Sequence, residues 1–131
     1  MAYSFVCFKN KEFRVNDLDF AVTCFVLIKQ ADASALEEFG LMFDQWLDSI
    51  AFSGGGCLDL LLDKYLTTCE KIKRFSELLD LARYDVSSYG EFYPGELLCQ
   101  DLSKVQIALA GNYRVSHISK TLCELQRIVG C

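Results

Sequence analysis

The sequence predicts a mainly α-helical fold, a compact bundle of about five helices, with a short N-terminal β-hairpin as an additional element. Apolar residues recur at three- and four-residue steps over most of the chain, which is the period of an amphipathic helix. The 131 residues are 52% hydrophobic and 24% charged, which suits one packed domain. No internal repeat or low-complexity segment divides the chain, so we expect a single helical domain over residues 1–131.

The N-terminal segment 3–15 has two interpretations. Aromatic and β-branched residues flank a polar break at 9–11, which is typical of a β-hairpin. An irregular arm packed by Phe5, Phe8 and Phe13 fits the same pattern equally well.

A first helix is predicted from about residue 17 to residue 30. Asn16 or Asp17 offers a side-chain oxygen to the free amides of the first turn. The segment is apolar nearly all round, which predicts a central buried helix. A buried strand over 21–28 is the alternative, because Val, Thr, Phe and Ile favour strands.

A second helix is predicted to follow a cap at Ser34 or Asp32 and to end near residue 52. The glycine-rich segment 53–56 ends it, since glycine takes the left-handed conformation cheaply. No phosphate-loop or dinucleotide-binding motif surrounds these glycines, so we expect a turn. Trp46 shares the apolar stripe and is expected to be buried. The stripe consists of Leu36, Phe39, Phe43, Trp46, Leu47 and Ile50.

The sequence pattern of the second half of the chain predicts three further helices. The longest covers about 58–83, with a kink or break near 67–68. A loop over 85–95 contains the only proline, and helices over about 97–110 and 117–129 follow it. Ser116 is the expected cap of the last helix. Its apolar face consists of Ile118, Leu122, Leu125 and Val129.

Cysteine usage and the N-terminus predict a cytoplasmic protein. No secretion signal is visible, and the longest apolar stretch, 24–28, is far shorter than the roughly 20 residues of a membrane span. The seven cysteines form no CxxC pair, so we expect reduced thiols that pack as small apolar groups, except for an exposed Cys131. They stand at positions 7, 24, 57, 69, 99, 123 and 131.

No motif indicates catalysis, and we expect no catalytic residue, metal or cofactor. His117 is the only histidine, and six residues separate it from Cys123, so the two point to different sides of a helix. Pairs of aspartates stand four residues apart, at 44 and 48 and at 59 and 63. Neither pair has an accompanying histidine, so solvated charge is the simpler interpretation.

Charge is segregated along the sequence. The net charge is −5, and no Lys or Arg occurs between Lys29 and Lys64. The acids Glu37, Asp44 and Asp48 lie off the apolar stripe of their helix, so we expect them to be exposed and to bind a basic partner. Ordinary solvated helix faces are the alternative. The acidity disfavours binding to nucleic acids and to anionic membranes.

A second candidate partner-binding segment lies in the predicted loop. Tyr89, Phe92 and Tyr93 crowd a glycine-bearing stretch beside Glu91. Tyrosine-rich loops make good protein contacts, because they bury area at a low cost in rotamer entropy. Packing of these rings onto their own domain is the alternative.

Together these features predict a non-enzymatic inhibitor. The leading hypothesis is an immunity or antitoxin protein that neutralises a basic toxin, such as a nuclease, by covering its active site with an acidic surface. A helical adaptor or chaperone that binds a partner helix in an apolar groove is the second hypothesis. A thiol- or carboxylate-dependent enzyme is the third, and it needs a cleft with a perturbed Cys, Asp or His.

Overall fold

The computed structural model describes residues 3–52, 59–98 and 112–130, and their side chains except at 50–52, 59–61, 96 and 98. The mainly helical fold and the N-terminal hairpin are confirmed, with four α-helices in these ranges instead of about five. The elements are β1 (Tyr3–Phe8), β2 (Lys11–Asn16), α1 (Asp17–Gln30), α2 (Ala33–Phe52), β3 (Asp59–Leu61), α3 (Cys69–Ser87), β4 (Phe92–Pro94), a 3₁₀ turn (Gly95–Leu98), β5 (Asn112–Arg114) and α4 (Val115–Val129).

The hairpin closes through a two-residue turn. Lys9 and Asn10 both have positive φ, at 46° and 65°, as a type I′ turn requires. The Lys9 amide donates to both carboxylate oxygens of Asp63, at 3.2 and 3.3 Å, which ties the turn to the chain after β3. β1 is the middle strand of a three-stranded sheet, antiparallel to β2 and parallel to β3. The buried face of the hairpin packs on α1 and α4.

α1 is the central helix, so the alternative of a strand over 21–28 is wrong. Asn16 caps it, since its side-chain oxygen accepts from the amides of Leu18 at 2.8 Å and Asp19 at 3.4 Å. Every residue from Phe20 to Leu27 is buried. α2, α3, α4 and the hairpin surround this helix, and a nearly all-apolar helix is what such a position requires.

α2 has the predicted extent. Asp32 is its cap, because one carboxylate oxygen accepts from the Ala35 amide at 2.8 Å. Trp46 is 3% exposed, as predicted, and packs against the rings of Phe20 and Phe43. Leu36 is 40% exposed and therefore lies outside the buried stripe. The predicted turn at 53–56 and the side chain of Ile50 lie outside the described residues.

The predicted helix 58–83 is wrong in its first part. Residues 59–61 form β3, which pairs with the open edge of β1, and α3 begins at Cys69, next to the predicted break. The Thr68 hydroxyl caps α3 by accepting from the Lys71 amide at 3.2 Å. α3 continues to Ser87, so the loop that follows it is shorter than the predicted 85–95.

The C-terminal elements differ in detail from the prediction. The predicted helix 97–110 lies outside the described residues except for 97–98, which belong to the 3₁₀ turn. α4 begins at Val115, directly after β5, which pairs with β4. Arg114 therefore occupies the cap position, and Ser116 is not the cap. The predicted apolar face of α4 is buried, as expected.

Candidate functional site

The outer face of α2 carries the first group of predicted partner-binding residues. Glu37, Leu41, Asp44 and Asp48 follow one another at steps of four, three and four residues, so they form one line along the helix. Glu37 and Asp44 are exposed, Asp48 is half-buried, and Leu41 is 64% exposed. We call these four residues the acidic stripe. The opposite, buried face consists of Phe39, Met42, Phe43, Trp46 and Leu47.

The acidic stripe is not neutralised by α2 itself, because that helix contains no Lys or Arg. Within the described part of the chain, no cation forms an ion pair with Glu37 or Asp44. Glu38 differs from them. Its two oxygens accept from Arg74 of α3 at 2.7 and 2.8 Å, a bidentate pair that joins the two helices.

A groove of about 180 Å³ lies between the N-terminal half of α2 and α3. Its apolar lining includes Phe39, Leu78 and Leu81. Its polar lining includes three carboxylates, from Asp32, Glu38 and Glu77, and one guanidinium, from Arg74. Sequence reasoning missed this groove, because the residues that form it come from helices more than 30 positions apart.

The second predicted group, Tyr89, Glu91, Phe92 and Tyr93, lies after α3 and is not one surface. Tyr93 is fully buried, so its ring offers no surface to a partner in this structure. Tyr89 is half-buried against it, with the ring centroids 4.6 Å apart. Glu91 and Phe92 are exposed. Arg114 lies 3.5 Å from the Glu91 carboxylate and 5.4 Å from the Phe92 ring, so this part of the surface is balanced in charge.

Tyr93 instead forms a partly buried network with two residues that sequence reasoning missed. Its hydroxyl accepts from Lys29 of α1 at 2.8 Å and donates to Asp85 of α3 at 2.9 Å. The Lys29 nitrogen is 3.6 Å from the same carboxylate. No local sequence pattern predicts such a network, since Lys29 and Tyr93 are 64 residues apart.

The pKa values of the network and of Cys24 do not favour catalysis. Burial, with the hydrogen bond to Asp85, raises the pKa of Tyr93 to about 12, although Lys29 opposes the shift. Burial lowers the pKa of Lys29, but the hydrogen bond and charges of Tyr93 and Asp85 raise it more. Burial also raises the pKa of the Cys24 thiol. At neutral pH neither Tyr93 nor Cys24 is therefore in the ionised form that a base or nucleophile needs.

No protein-family model matches the chain, and no curated protein or solved structure is significantly similar to it. Among the residues that the structure describes, no group of three His, Cys, Asp or Glu residues is arranged to hold a metal ion. None of the helices in these ranges is both long enough and apolar enough to cross a membrane. The acidic stripe and the adjoining groove are the candidate binding surfaces among the described residues.

Proposed function

We propose that the protein is a non-enzymatic inhibitor of the immunity or antitoxin type, which binds a basic partner protein through α2 and occludes it. The observation that carries this proposal is on the acidic stripe, where the exposed carboxylates of Glu37 and Asp44, which form no ion pair within the described residues, flank the exposed Leu41. A basic toxin is the partner that this chemistry fits best.

Electrostatics favours such a role for the stripe. Glu37 and Asp44 are exposed and, within the described residues, neither forms an ion pair. Their charges therefore attract a basic protein over a distance and raise the association rate.

Leu41 supplies the apolar contact that charge alone does not provide. It is 64% exposed and lies between Glu37 and Asp44 on the stripe. Apolar centres with polar rims are the usual anatomy of protein interfaces, because the centre loses its water on binding. A partner with a small apolar patch among basic residues is therefore complementary to α2.

The test compares two triple variants with the same net charge. Glu37→Gln/Asp44→Asn/Asp48→Asn removes the stripe, and Glu12→Gln/Glu70→Gln/Glu91→Gln removes three acids elsewhere. Binding of a nona-arginine peptide is measured by fluorescence anisotropy at low and high salt. We expect the stripe variant to bind roughly three- to hundredfold more weakly than the control variant, at about 0.2–1 kcal/mol per exposed charge. Equal losses in both variants would show that only net charge matters and would refute the stripe as a site.

The same variants distinguish an inhibitor from an adaptor. A native partner should be retained by the wild type and by the control variant, and lost by the stripe variant. If the wild-type protein blocks the activity of that partner, the inhibitor proposal is supported. If that activity is unaffected, an adaptor is the correct class.

The adaptor, as the second candidate, needs an apolar groove, and the groove between α2 and α3 is the feature to compare with that requirement. Its volume of about 180 Å³ is small for that purpose. A partner helix docks through several anchor residues at i, i+3, i+4 and i+7, which need a long groove. The groove fits a single side chain better than a helix face.

A further inference from the structure

The groove between α2 and α3 continues the acidic stripe around the helix. Successive residues of an α-helix are rotated by about 100°, so Glu38 and Leu41 lie roughly 60° apart around α2. Glu38 lines the groove, and Leu41 lies at the centre of the stripe. A partner that covers the stripe therefore reaches the groove with its next side chain.

The size of the groove limits its occupant. Small-molecule sites occupy about 300–1,000 Å³, and a cavity of about 150 Å³ admits a single benzene ring. At about 180 Å³, the groove accommodates one long side chain.

The charge of the groove determines which side chain it accepts. The bidentate pair with Glu38 already engages the Arg74 guanidinium, and Glu70 lies 3.8 Å from it. The carboxylates of Asp32 and Glu77 remain. Asp32 uses one oxygen to cap α2, at 2.8 Å from the Ala35 amide. Glu77 is exposed and, within the described residues, forms no ion pair, although its charge adds to the rise in the pKa of Arg74 that the hydrogen bond with Glu38 mainly causes.

The apolar lining of the groove is complementary to the hydrocarbon stem of a cationic side chain. Phe39 and Leu78 are buried at the groove, and Leu81 is 55% exposed beside it. Arginine and lysine side chains lay their methylene groups on such surfaces while the charged end reaches polar groups.

We propose that this groove is the specificity pocket for one arginine or lysine side chain of the basic partner. Its stem packs on the exposed part of Leu81, beside the buried Phe39 and Leu78, and its charged end binds Asp32 and Glu77. This inference rests on the proposed function, because it names the partner group that anchors beside the acidic stripe.

The experiment uses four blocked tripeptides of the form acetyl-Gly-X-Gly-amide, in which X is arginine, lysine, citrulline or norleucine. Amide chemical shifts of the full chain are followed by NMR at low salt. We expect the arginine or lysine peptide to shift the amides of Ala35, Leu78 and Leu81, and the two uncharged peptides to leave them in place. Equal shifts with citrulline or norleucine would refute the proposed cation site.

Two variants separate the groove from the stripe. Asp32→Asn/Glu77→Gln, in which the asparagine retains a capping oxygen, should weaken binding of the cationic peptide at least about twofold, since two surface charges are lost. The stripe variant should bind this peptide as the wild type does. If the cationic peptides shift only the amides around Leu41, the groove inference is wrong and the proposed function stands. If the groove binds them while the stripe variant retains full affinity for nona-arginine, the groove inference stands and the proposed function is wrong.

Discussion

Tyr93 joins three elements of the fold through a single hydroxyl group. The ring lies in β4, and the hydroxyl bonds to Lys29 at the end of α1 and to Asp85 near the end of α3. Burying a hydroxyl without partners costs about 1–3 kcal/mol, so both hydrogen bonds are needed for this position to be stable. The residue that the sequence presented as a surface contact therefore stabilises the core.

Tyr93→Phe should lower the free energy of unfolding by about 1–3 kcal/mol at neutral pH, because Lys29 and Asp85 lose their shared partner. The effect should depend on pH. The folded-state pKa of about 12 lies above the unfolded value of about 10, so stabilisation is complete below pH 10 and is lost as the pH rises towards 12. The raised pKa of Lys29 acts in the same direction.

Urea unfolding between pH 8 and pH 12 measures this dependence. The difference between the wild type and the phenylalanine variant should shrink above pH 10. Tyr84→Phe is the control, since Tyr84 is 80% exposed. A difference that stays constant over this range would contradict the assigned network.

Gly40 is a helix residue with open space around it. No heavy atom lies within 4 Å of an added Cβ, so Gly40→Ala should raise the free energy of unfolding by about 0.5–1 kcal/mol through helix propensity. Gly130→Ala adds the same methyl group 2.7 Å from the Gln126 carbonyl oxygen and should be destabilising. Chemical denaturation of both variants measures whether the free energy of unfolding rises or falls. A loss of stability in the Gly40 variant would contradict the packing described for α2.

Trp46 is buried, and its indole nitrogen has no hydrogen-bond partner among the described residues. Trp46→Ala should cost roughly 3–5 kcal/mol, as large core truncations do. Trp46→Phe should cost much less, because it keeps an aromatic ring and removes the unsatisfied donor. Thermal and urea unfolding measure both values. Equal losses for the two variants would indicate that the indole N–H is bonded in the folded protein.

At the level of elements, α3 begins after its cap, Thr68, and not at residue 58, where the sequence pattern predicted the start of a helix. The apolar pattern continues from 58 into the helix, but β1 offers an open edge, and β3 pairs with it in parallel. Strand pairing satisfies backbone groups that would otherwise need solvent or a helix. The helix then begins after Thr68, whose hydroxyl accepts from the Lys71 amide.

Thr68→Ala should therefore lower the free energy of unfolding by about 1 kcal/mol through loss of the cap. Thr67→Ala is the matched control, since Thr67 is an exposed residue just before the helix. Urea denaturation of both variants measures the difference. If Thr67→Ala is the more costly change, the start of α3 is assigned wrongly.

At the level of the whole molecule, charge is distributed unevenly over the surface. Glu38, Glu91 and Glu124 each face an arginine, whereas the acidic stripe lies in the long stretch between Lys29 and Lys64 that contains no basic residue. The field of such a molecule is strongest where its acids are uncompensated, and salt weakens it over about 10 Å at 0.1 M. Binding through α2 should consequently be sensitive to salt.

The molecule should fold without metal or disulfide bonds. Among the described residues, Cys24, Cys69 and Cys123 are free thiols, and the apolar core extends through the hairpin and the four helices of these ranges. Neither a chelator nor a reducing agent should change the thermal midpoint, because neither removes a structural link. Calorimetry with and without each reagent checks this. A large fall under either treatment would reveal a link that involves residues beyond those described.

The sequence by itself determined the elements whose signals are local. The polar break at 9–11 indicated a hairpin turn, with an irregular arm as an equal alternative. Asn16 and Asp32 were among the candidate caps of two helices, and apolar periodicity predicted α2 and the buried Trp46. Caps and turns act within three or four residues, and periodicity selects a face within one helix, so no other part of the chain is needed to interpret them.

Tertiary structure alone decided the rest. β3 exists because residues 59–61 meet β1 more than 50 positions earlier, and Tyr93 is buried because Lys29 and Asp85 meet its hydroxyl. The groove beside the acidic stripe lies where α2 and α3 meet, and Glu38 pairs with Arg74 across it. Each feature depends on how separate elements pack, and sequence periodicity carries no information about which faces will meet.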